Sequence, residues 1–256
     1  MATGGGKKSV LKFDSEDDVA VALAKYTADL SAKFIGSKNS FTVVLSGGSL
    51  IDTMRKLVEA PYKESVDWSK WRIFWVDERV VPLDNPDSNY LLAFNGFLSK
   101  VPIPSENIYA INDKKTPEAA ADDYEARLRQ LVESEILPLS PTGFPKFDLM
   151  LLGMGPDGHV ASLFPNRPQR HEKERWVTFI TDSPKPPPSR ITFTFPVINS
   201  ASENAMVITG VELANMVNIA LGDGVPPGGV PPPCTEVSAE DELTWFLDKD
   251  SASKLS

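Results

Sequence analysis

His159 is one of only two histidines in the chain, and it closes a turn that is rich in glycine. An apolar run at 147–152 has the length of a buried strand, and the turn, which contains Gly155, begins directly after it. Parallel sheets bind ligands beyond the carboxyl ends of their strands, where glycine lets backbone N–H groups approach an anion. Because a histidine at such a place can move protons near neutral pH, residues 153–159 predict an active site.

A second turn has the ingredients of an anion site. Ser46, Gly47, Gly48 and Ser49 follow the apolar run 41–45 and precede a predicted helix. Hydroxyl donors, free backbone N–H groups and the positive end of a helix dipole together bind anions. The same four residues could equally form a helix cap on a tight turn, so both interpretations stay open. A P-loop nucleotide site is not indicated, because the Gly-Lys-Ser/Thr sequence is missing.

A charged segment, Asp77-Glu78-Arg79, follows a third apolar run at 72–76. If the strand continues, alternation places Asp77 and Arg79 on one side and Glu78 on the other. A surface ion pair would explain the same residues, but charged side chains rarely follow a buried strand, and this favours a functional role. Since parallel strands end at one edge of a sheet, we expect the three segments to meet over one crevice.

Two other kinds of site are disfavoured. Residues 153–158 match the dinucleotide pattern G-x-G-x-x-G, but they lie late in the chain. In addition, Pro156 removes a backbone N–H, and Pro165 shortens the helix that would follow. His171 stands among charged residues and is interpreted as a solvated surface residue. With no further histidine and no cysteine cluster, a zinc site is not indicated.

The elements that must position these segments alternate between strands and helices. Strands are predicted at 10–13, 41–45, 72–76, 147–152, 176–180, 191–195 and 205–209. Helices are predicted at 19–34, 50–58, 91–94, 117–135 and 213–221. This alternation is typical of βαβ units and predicts an α/β fold with a three-layer, mostly parallel sheet. We expect one domain over residues 1–256, with 1–8 and 249–256 as flexible tails.

Composition and charge limit the class of protein. Of the 256 residues, 41% are hydrophobic and 24% are charged, which is ordinary for a folded domain. The formal net charge of −9 argues against a nucleic-acid partner, which requires a basic surface. No run approaches the roughly 18 apolar residues of a membrane span, so a membrane partner is not expected.

The cysteine count and the termini predict a compartment. Cys234 is the only cysteine, so an intrachain disulfide is impossible and a reducing compartment is expected. Residues 1–8 have no apolar stretch and are too short for a transit peptide. Residues 253–255 read SKL, but Ser256 follows them, and a peroxisomal address must be terminal. These observations predict a cytosolic protein.

Several longer motifs occur in a fixed order along the chain. They are LSGGSL at 45–50, WVDERVVP at 75–82, DSNY at 87–90, LGMGPDGHVASLFP at 152–165, SPKPPPSRITFTFPVI at 183–198 and WFLD at 245–248. In these motifs the chain resembles the 6-phosphogluconolactonases, especially the plant cytosolic type, from about residue 10 to residue 248. The resemblance implies a modified Rossmann-like sheet of the sugar-phosphate isomerase/lactonase type. It also implies hydrolysis of 6-phospho-D-glucono-1,5-lactone to 6-phospho-D-gluconate, the second step of the oxidative pentose phosphate pathway.

The resemblance further implies roles for individual residues. His159 would be the base that activates water, with Asp157 or Asp77 orienting it or the substrate. Arg79 and Arg190 are candidates for the phosphate or the oxyanion, together with the serine–glycine turn at 46–49. No cofactor and no metal are expected. The expected partner is a small sugar-phosphate lactone, and the expected state is a monomer or weak homo-oligomer.

Two positions bear on which activity the resemblance implies. The related glucosamine-6-phosphate isomerases share the histidine loop but continue it with an acidic residue before proline, where this chain has Phe164, so the lactonase is preferred. The family pattern Thr-Gly-x-x-Lys-Ala reads TGVELA at 209–214, with Leu213 in place of the lysine that points at the substrate phosphate. Loss of a charge-assisted contact would raise the Michaelis constant ~10- to 100-fold. A catalytically impaired paralogue that binds sugar phosphates or a protein partner is therefore the alternative.

Overall fold

Nine strands and seven α-helices occur in residues 5–256, which are the residues that the computed structural model describes. The strands are β1 (Lys7–Phe13), β2 (Phe41–Leu45), β3 (Trp71–Trp75), β4 (Asp77–Arg79), β5 (Leu149–Leu152), β6 (Val177–Ile180), β7 (Arg190–Phe193), β8 (Glu203–Ile208) and β9 (Glu242–Asp248). The helices are α1 (Glu16–Lys38), α2 (Leu50–Thr53), α3 (Tyr62–Ser65), α4 (Asn89–Gly96), α5 (Pro117–Glu133), α6 (Phe195–Ile198) and α7 (Ala214–Leu221).

A six-stranded parallel sheet with the order β1-β9-β8-β5-β2-β3 forms the centre of the fold. Successive residues of its central strands enter two different cores. Val44 and Met150 pack on the face that α5 and α7 cover, whereas Val43 and Leu149 pack on the face of α1, α2 and α4. This alternation explains why the central strands are apolar throughout. The predicted three-layer α/β fold with a mostly parallel sheet is confirmed.

A second, antiparallel sheet, ordered β4-β7-β6, was not predicted. The chain passes from one sheet to the other at Val76, whose N–H donates to the Leu45 carbonyl (2.9 Å) and whose carbonyl accepts from the Phe193 N–H (2.7 Å). The segment 77–79, predicted as a charged strand end, is therefore a short strand of its own. It lies where the two sheets meet.

The structure differs from the prediction at several element boundaries. The helix after Ser49 has only four α-helical residues, because the Met54 N–H is shared between the carbonyls of Leu50 (3.0 Å) and Ile51 (3.2 Å) and the chain continues as a 3₁₀ turn. β9 lies between β1 and β8 and is almost entirely buried. The sequence pattern indicated a motif at 245–248, but no strand was predicted there. No α-helix follows His159 before α6 among the described residues.

The predicted flexible tails need correction. Residues 1–4 lie outside the described residues, but Lys7 and Lys8 belong to β1 and pair with β9. At the other end, Ser251 is fully buried and its Oγ donates to the Ile208 carbonyl at 2.7 Å. Hydrogen bonding therefore orders part of both segments. No helix in the described range is long and apolar enough to cross a membrane.

Candidate active site

A cavity of about 210 Å³ opens at the carboxyl ends of β2, β3 and β5. Its lining residues are Ser46, Gly47, Gly48, Ser49, Leu50, Asp77, Arg79, Asn89, Gly153, Met154, Gly155, His159, Ala161 and Arg190. The three strand-end segments therefore meet over one crevice, as the parallel sheet predicts. Of the residues predicted for the site, only Asp157 is outside this lining, and it contacts His159 directly.

His159 and Asp157 form a hydrogen-bonded pair. Asp157 Oδ1 lies 2.6 Å from His159 Nδ1 and also accepts the His159 backbone N–H at 3.1 Å. Because a carboxylate can only accept, Nδ1 carries the proton and Nε2 of the neutral ring is left as the acceptor. The imidazole side chain is only 17% exposed. A water molecule in the cavity could thus be deprotonated by a ring whose tautomer is fixed.

The pKa of the Asp157 carboxyl is lower than usual. Burial of the group raises its pKa, but the hydrogen bonds of His159, with the charge that its ring carries when protonated, outweigh that effect, and the charge of Lys185 adds to the lowering. Asp157 is therefore ionised at neutral pH. It can hold the imidazole in place and stabilise a positive charge that develops on it.

Glycine gives the histidine turn its shape. Gly158 has a φ of +82°, a left-handed conformation that suits glycine. The Gly155 N–H donates to the His159 carbonyl at 3.1 Å, and a Cβ on Gly155 would lie 2.2 Å from the imidazole Cε1. The N–H expected to bind an anion is thus already used within the turn. Gly155 instead makes room for the imidazole.

Phe164 forms an apolar wall beside the imidazole. Its side chain is fully buried, and the centroid of its ring lies 4.6 Å from that of His159. The guanidinium of Arg190 lies 5.6 Å from the same ring on a cation–π contact. The position before Pro165 therefore offers no carboxylate to the cavity.

Asp77 is buried and does not hydrogen-bond His159. Its Oδ2 accepts the hydroxyl proton of Ser162 at 2.7 Å, and the Ser162 N–H donates to Thr192 Oγ1 at 3.2 Å. Ala161, which precedes Ser162 and lines the cavity, has a φ of +55°, an uncommon conformation for a residue with a side chain. Asp77 thus fixes the chain just after His159. Sequence reasoning missed Ser162, because nothing local indicates which side chain will cross from this loop to β4.

Two arginines face each other across the antiparallel sheet. Arg79 of β4 pairs in register with Arg190 of β7, and both line the cavity. Arg190 is held by the carbonyls of Lys185, Pro186 and Pro187 at 2.9–3.2 Å. Burial lowers the pKa of its guanidinium, and the charge of Arg79 lowers the pKa further.

Like charges brought this close favour the binding of a ligand with negative charge. Arg79 Nη1 donates to the Asp87 carbonyl at 3.0 Å, while its Nε is buried and has no hydrogen-bond partner among the described residues. Buried donors are nearly always satisfied, by solvent or ligand where protein groups are missing. The pair therefore presents positive charge to the cavity.

The serine–glycine turn keeps only some of its predicted groups free. Ser46 Oγ donates to the Leu151 carbonyl at 2.8 Å and so joins β2 to β5. Gly48 has a φ of +66° and open space around it, and Ser49 makes no side-chain capping bond to α2. Because α2 has four residues, its dipole is weak. An anion at this turn would therefore contact Gly48, Ser49 and backbone N–H groups. The N-terminus of a long helix is not present there.

Glu78 and Asn89 are functional neighbours that sequence reasoning did not single out. The buried Glu78 carboxylate accepts the backbone N–H groups of Arg79, Asn89 and Tyr90 at 2.8–2.9 Å. Burial raises its pKa to about 7, although these three donors act in the opposite direction. Glu78 therefore ties β4 to the start of α4, on the side away from Asp77 and Arg79, as alternation predicts.

Leu213 contributes no side chain to the cavity lining. It ends a 3₁₀ turn at Val211–Leu213 and packs, partly buried, against the core that contains α5 and α7. It is not among the residues that line the cavity. Within residues 5–256, no group of three or more His, Cys, Asp or Glu side chains is placed to hold a metal ion.

The chain is similar in sequence and in fold to known proteins. The family model described as glucosamine-6-phosphate isomerases/6-phosphogluconolactonase matches residues 14–245. The chain is 60% identical, over 96% of its length and 76% of the relative's, to the probable 6-phosphogluconolactonase 4, chloroplastic, of Oryza sativa subsp. indica. It is 59% identical, over 97% and 76%, to the 6-phosphogluconolactonase 3, chloroplastic, of Arabidopsis thaliana. The 6-phosphogluconolactonase structure from Trypanosoma brucei superposes with a TM-score of 0.81 at 27% identity, covering 98% of this chain and all of that one.

The prediction of a cytosolic protein is wrong. Relatives at 56–60% identity are named chloroplastic, which points to a plastid. The prediction depended on the single cysteine, on the interpretation of residues 1–8, which have no apolar stretch, as too short for a transit peptide, and on Ser256 following the SKL sequence. A single cysteine indicates a reducing environment, and it does not separate one reducing compartment from another.

Proposed function

The chain belongs to the family of glucosamine-6-phosphate isomerases and 6-phosphogluconolactonases, and within it we propose that His159 and Asp157 carry out the hydrolysis of 6-phospho-D-glucono-1,5-lactone to 6-phospho-D-gluconate. The observation that carries this proposal is the 2.6 Å contact between Asp157 Oδ1 and His159 Nδ1 at the edge of the cavity. A lactone is an activated ester, so its hydrolysis needs a base, a water molecule and a group that meets the developing oxyanion.

The proposed steps follow from the fixed tautomer of His159. Nε2 takes a proton from water while the water oxygen attacks the lactone carbonyl carbon, and a tetrahedral oxyanion forms. Asp157, which stays ionised, stabilises the imidazolium through Nδ1. The intermediate then collapses with cleavage of the bond to the ring oxygen, and the imidazolium returns the proton to that oxygen. Water is consumed, and the ring opens to the acid.

The two arginines of the cavity have different roles in this proposal. Arg79, which lines the cavity, meets the negative charge that develops on the carbonyl oxygen. Arg190, with Gly48 and Ser49 of the serine–glycine turn, lines the same cavity and holds the phosphate. Asp77 positions the loop after His159 through Ser162 rather than acting on the substrate.

A lactonase fits the cavity better than a sugar isomerase. Ring opening and isomerisation of a sugar phosphate need an acid–base partner that lactone hydrolysis does not, and Phe164 occupies the position before Pro165 with a buried ring. The wall beside His159 is therefore apolar. The impaired paralogue is not favoured, since relatives at 51–60% identity are named 6-phosphogluconolactonases. The effect of Leu213 on the Michaelis constant stays a prediction.

Rate measurements on freshly generated lactone test the proposal. The lactone hydrolyses spontaneously, so rates are compared with a blank without enzyme. We expect rapid hydrolysis by the wild type and a fall of about 10³-fold in kcat for His159→Ala, the size typical of losing a general base together with its charge stabilisation. A His171→Ala variant, which changes the only other histidine, is the matched control and should keep the wild-type rate. Wild-type and His159→Ala rates that both equal the blank would refute the enzyme, and an active His159→Ala would refute the assigned base.

The wider context of the activity is also proposed. The reaction would form the second step of the oxidative pentose phosphate pathway. The site draws on residues from Ser46 to Arg190 and on both sheets, and we propose that the chain works as one domain, as a monomer or weak homo-oligomer. Light scattering over a range of protein concentrations would measure the oligomeric state.

A further inference from the structure

Asn89 lines the cavity although the mechanism above gives it no task. It is the first residue of α4, and its position is fixed from two sides. Ser88 caps the helix by accepting the Leu91 N–H at 3.1 Å, and Glu78 accepts the Asn89 N–H at 2.8 Å. The residue as a whole is only 3% exposed. A buried amide held this firmly presents one defined edge to the cavity.

The orientation of the amide follows from its neighbour. Asn89 Nδ2 donates to the Asp77 carbonyl at 3.2 Å. The reverse orientation would bring the amide oxygen against that carbonyl, and two acceptors repel each other. The oxygen Oδ1 therefore points away from Asp77. It lies against Gly47, where a Cβ would come within 2.1 Å of it.

Oδ1 is an acceptor without a protein partner. No hydrogen bond to it occurs among residues 5–256, and both Asn89 and Gly47 line the cavity. An acceptor here excludes phosphate and carboxylate groups, which carry only acceptors, and selects a hydroxyl. The nearby arginines select the opposite chemistry, because they attract the anionic part of a ligand.

We propose that Asn89 Oδ1 is a specificity-determining acceptor for one ring hydroxyl of the sugar lactone, and that Gly47 lacks a side chain so that this oxygen can occupy its place. The proposal rests on the lactonase activity proposed above. It divides the cavity into a cationic side for the phosphorylated end and an acceptor side for the hydroxylated ring. Buried acceptors that lose their donor discriminate strongly against a substrate without the matching hydroxyl.

The test combines substrates and variants. Lactones of glucose 6-phosphate and of its 2-, 3- and 4-deoxy analogues are generated in situ, and kcat and KM are measured for each. We expect the wild type to hydrolyse one deoxy lactone with kcat/KM lowered about tenfold, chiefly through KM. Asn89→Ala should show about the same loss on the parent lactone and no further loss on that deoxy lactone.

A Ser88→Ala variant is the matched control. It removes the cap of the same helix, but Glu78 still accepts the Asn89 N–H and the cavity lining is unchanged, so the variant should have a lower melting temperature and keep the discrimination between substrates. Gly47→Ala is an independent variant, in which the new Cβ displaces Oδ1. It should lose the same discrimination with Asn89 still in place.

The outcomes separate this inference from the proposed function. If the wild type does not hydrolyse the parent lactone, the proposed function fails. If it hydrolyses the parent and all three deoxy lactones equally well, the role of Asn89 is refuted, even where no variant folds. A further outcome is that Asn89→Ala lowers kcat/KM by the same factor on every substrate and keeps the discrimination between them. Asn89 would then be a structural residue, and the proposal would also be overturned.

Discussion

A single carboxylate decides how well His159 can act as a base. Asp157 is absent from the cavity lining, yet its Oδ1 bonds both Nδ1 and the backbone N–H of His159. Asp157→Asn keeps an oxygen that can accept both N–H groups but removes the negative charge that stabilises the imidazolium. We expect kcat to fall about 10²- to 10⁴-fold. KM should change little, because Asp157 does not line the cavity.

A matched substitution separates this effect from a general loss of acidic charge. Asp182 is exposed, lies outside the cavity and, among the described residues, forms an ion pair only with Arg167 (3.7 Å). Asp182→Asn should leave both kcat and KM at the wild-type values. Steady-state kinetics on the parent lactone give both constants, and circular dichroism checks that each variant is folded. Wild-type kcat in Asp157→Asn would remove the charge of Asp157 from the mechanism.

At the scale of elements, the histidine turn depends on a loop that is distant in sequence. The Cys234 N–H donates to the Gly158 carbonyl at 2.9 Å, and a Cβ on Gly158 would lie 2.5 Å from Pro232 Cβ and 3.0 Å from Met216 Sδ. Gly158→Ala therefore combines the cost of a left-handed φ with a steric clash against the proline-rich loop. We expect unfolding free energy to fall by about 2–4 kcal/mol. We also expect kcat to fall, because the turn that carries His159 must move.

Gly228 offers a control for the backbone term alone. Its φ is +64°, and no atom lies within 4 Å of an added Cβ. Gly228→Ala should cost about 1–2 kcal/mol of unfolding free energy, measured by urea denaturation, with unchanged kcat. Equal losses in both variants would show that Pro232 and Met216 adapt. The close packing of the loop on the turn would then have no energetic consequence.

Local patterns identified the parts of the site that lie close together in the chain. Buried strands that end in polar turns predicted the edge at which His159, Arg79 and the serine–glycine turn meet, because parallel strands place their carboxyl ends together. Pairing between distant segments could not be predicted in this way. The register that brings Arg79 opposite Arg190 depends on Phe193 bonding to Val76, and neither residue has a local signal for it.

The same limit explains the missed neighbours. Ser162 reaches Asp77 across 85 residues, and Glu78 caps the start of α4 from a different strand. Each contact is set by the packing of two sheets and a helix, not by periodicity or turn chemistry. The short α2 shows a further limit, since an amphipathic pattern indicates which face is buried but not where the α-helical hydrogen bonds end.

For the molecule as a whole, a buried carboxylate also lies at the edge of the parallel sheet opposite the cavity. It belongs to Glu203, the first residue of β8. Glu203 is buried, its nearest cation is Lys33 at 4.0 Å, and the carboxylates of Asp241 and Glu242 act on it as well. Burial, with these like charges, raises the pKa of Glu203 to about 7. The folded state therefore binds this proton more tightly than the unfolded state, whose carboxyl has an ordinary pKa near 4.5.

The sign of the linkage predicts a loss of stability as pH rises. The contribution of protonated Glu203 is fully present below the unfolded pKa of about 4.5 and is lost as the pH rises through about 7. Glu203→Gln keeps a neutral group at the site, so its unfolding free energy should exceed that of the wild type by about 2–3 kcal/mol at pH 8. The two proteins should converge near pH 4.5. Glu106→Gln, which changes an exposed carboxylate, should follow the wild-type curve at every pH. Urea denaturation from pH 4.5 to 8 measures the unfolding free energy of each protein. Parallel curves for Glu203→Gln and the wild type would mean that ionisation of Glu203 does not destabilise the folded protein.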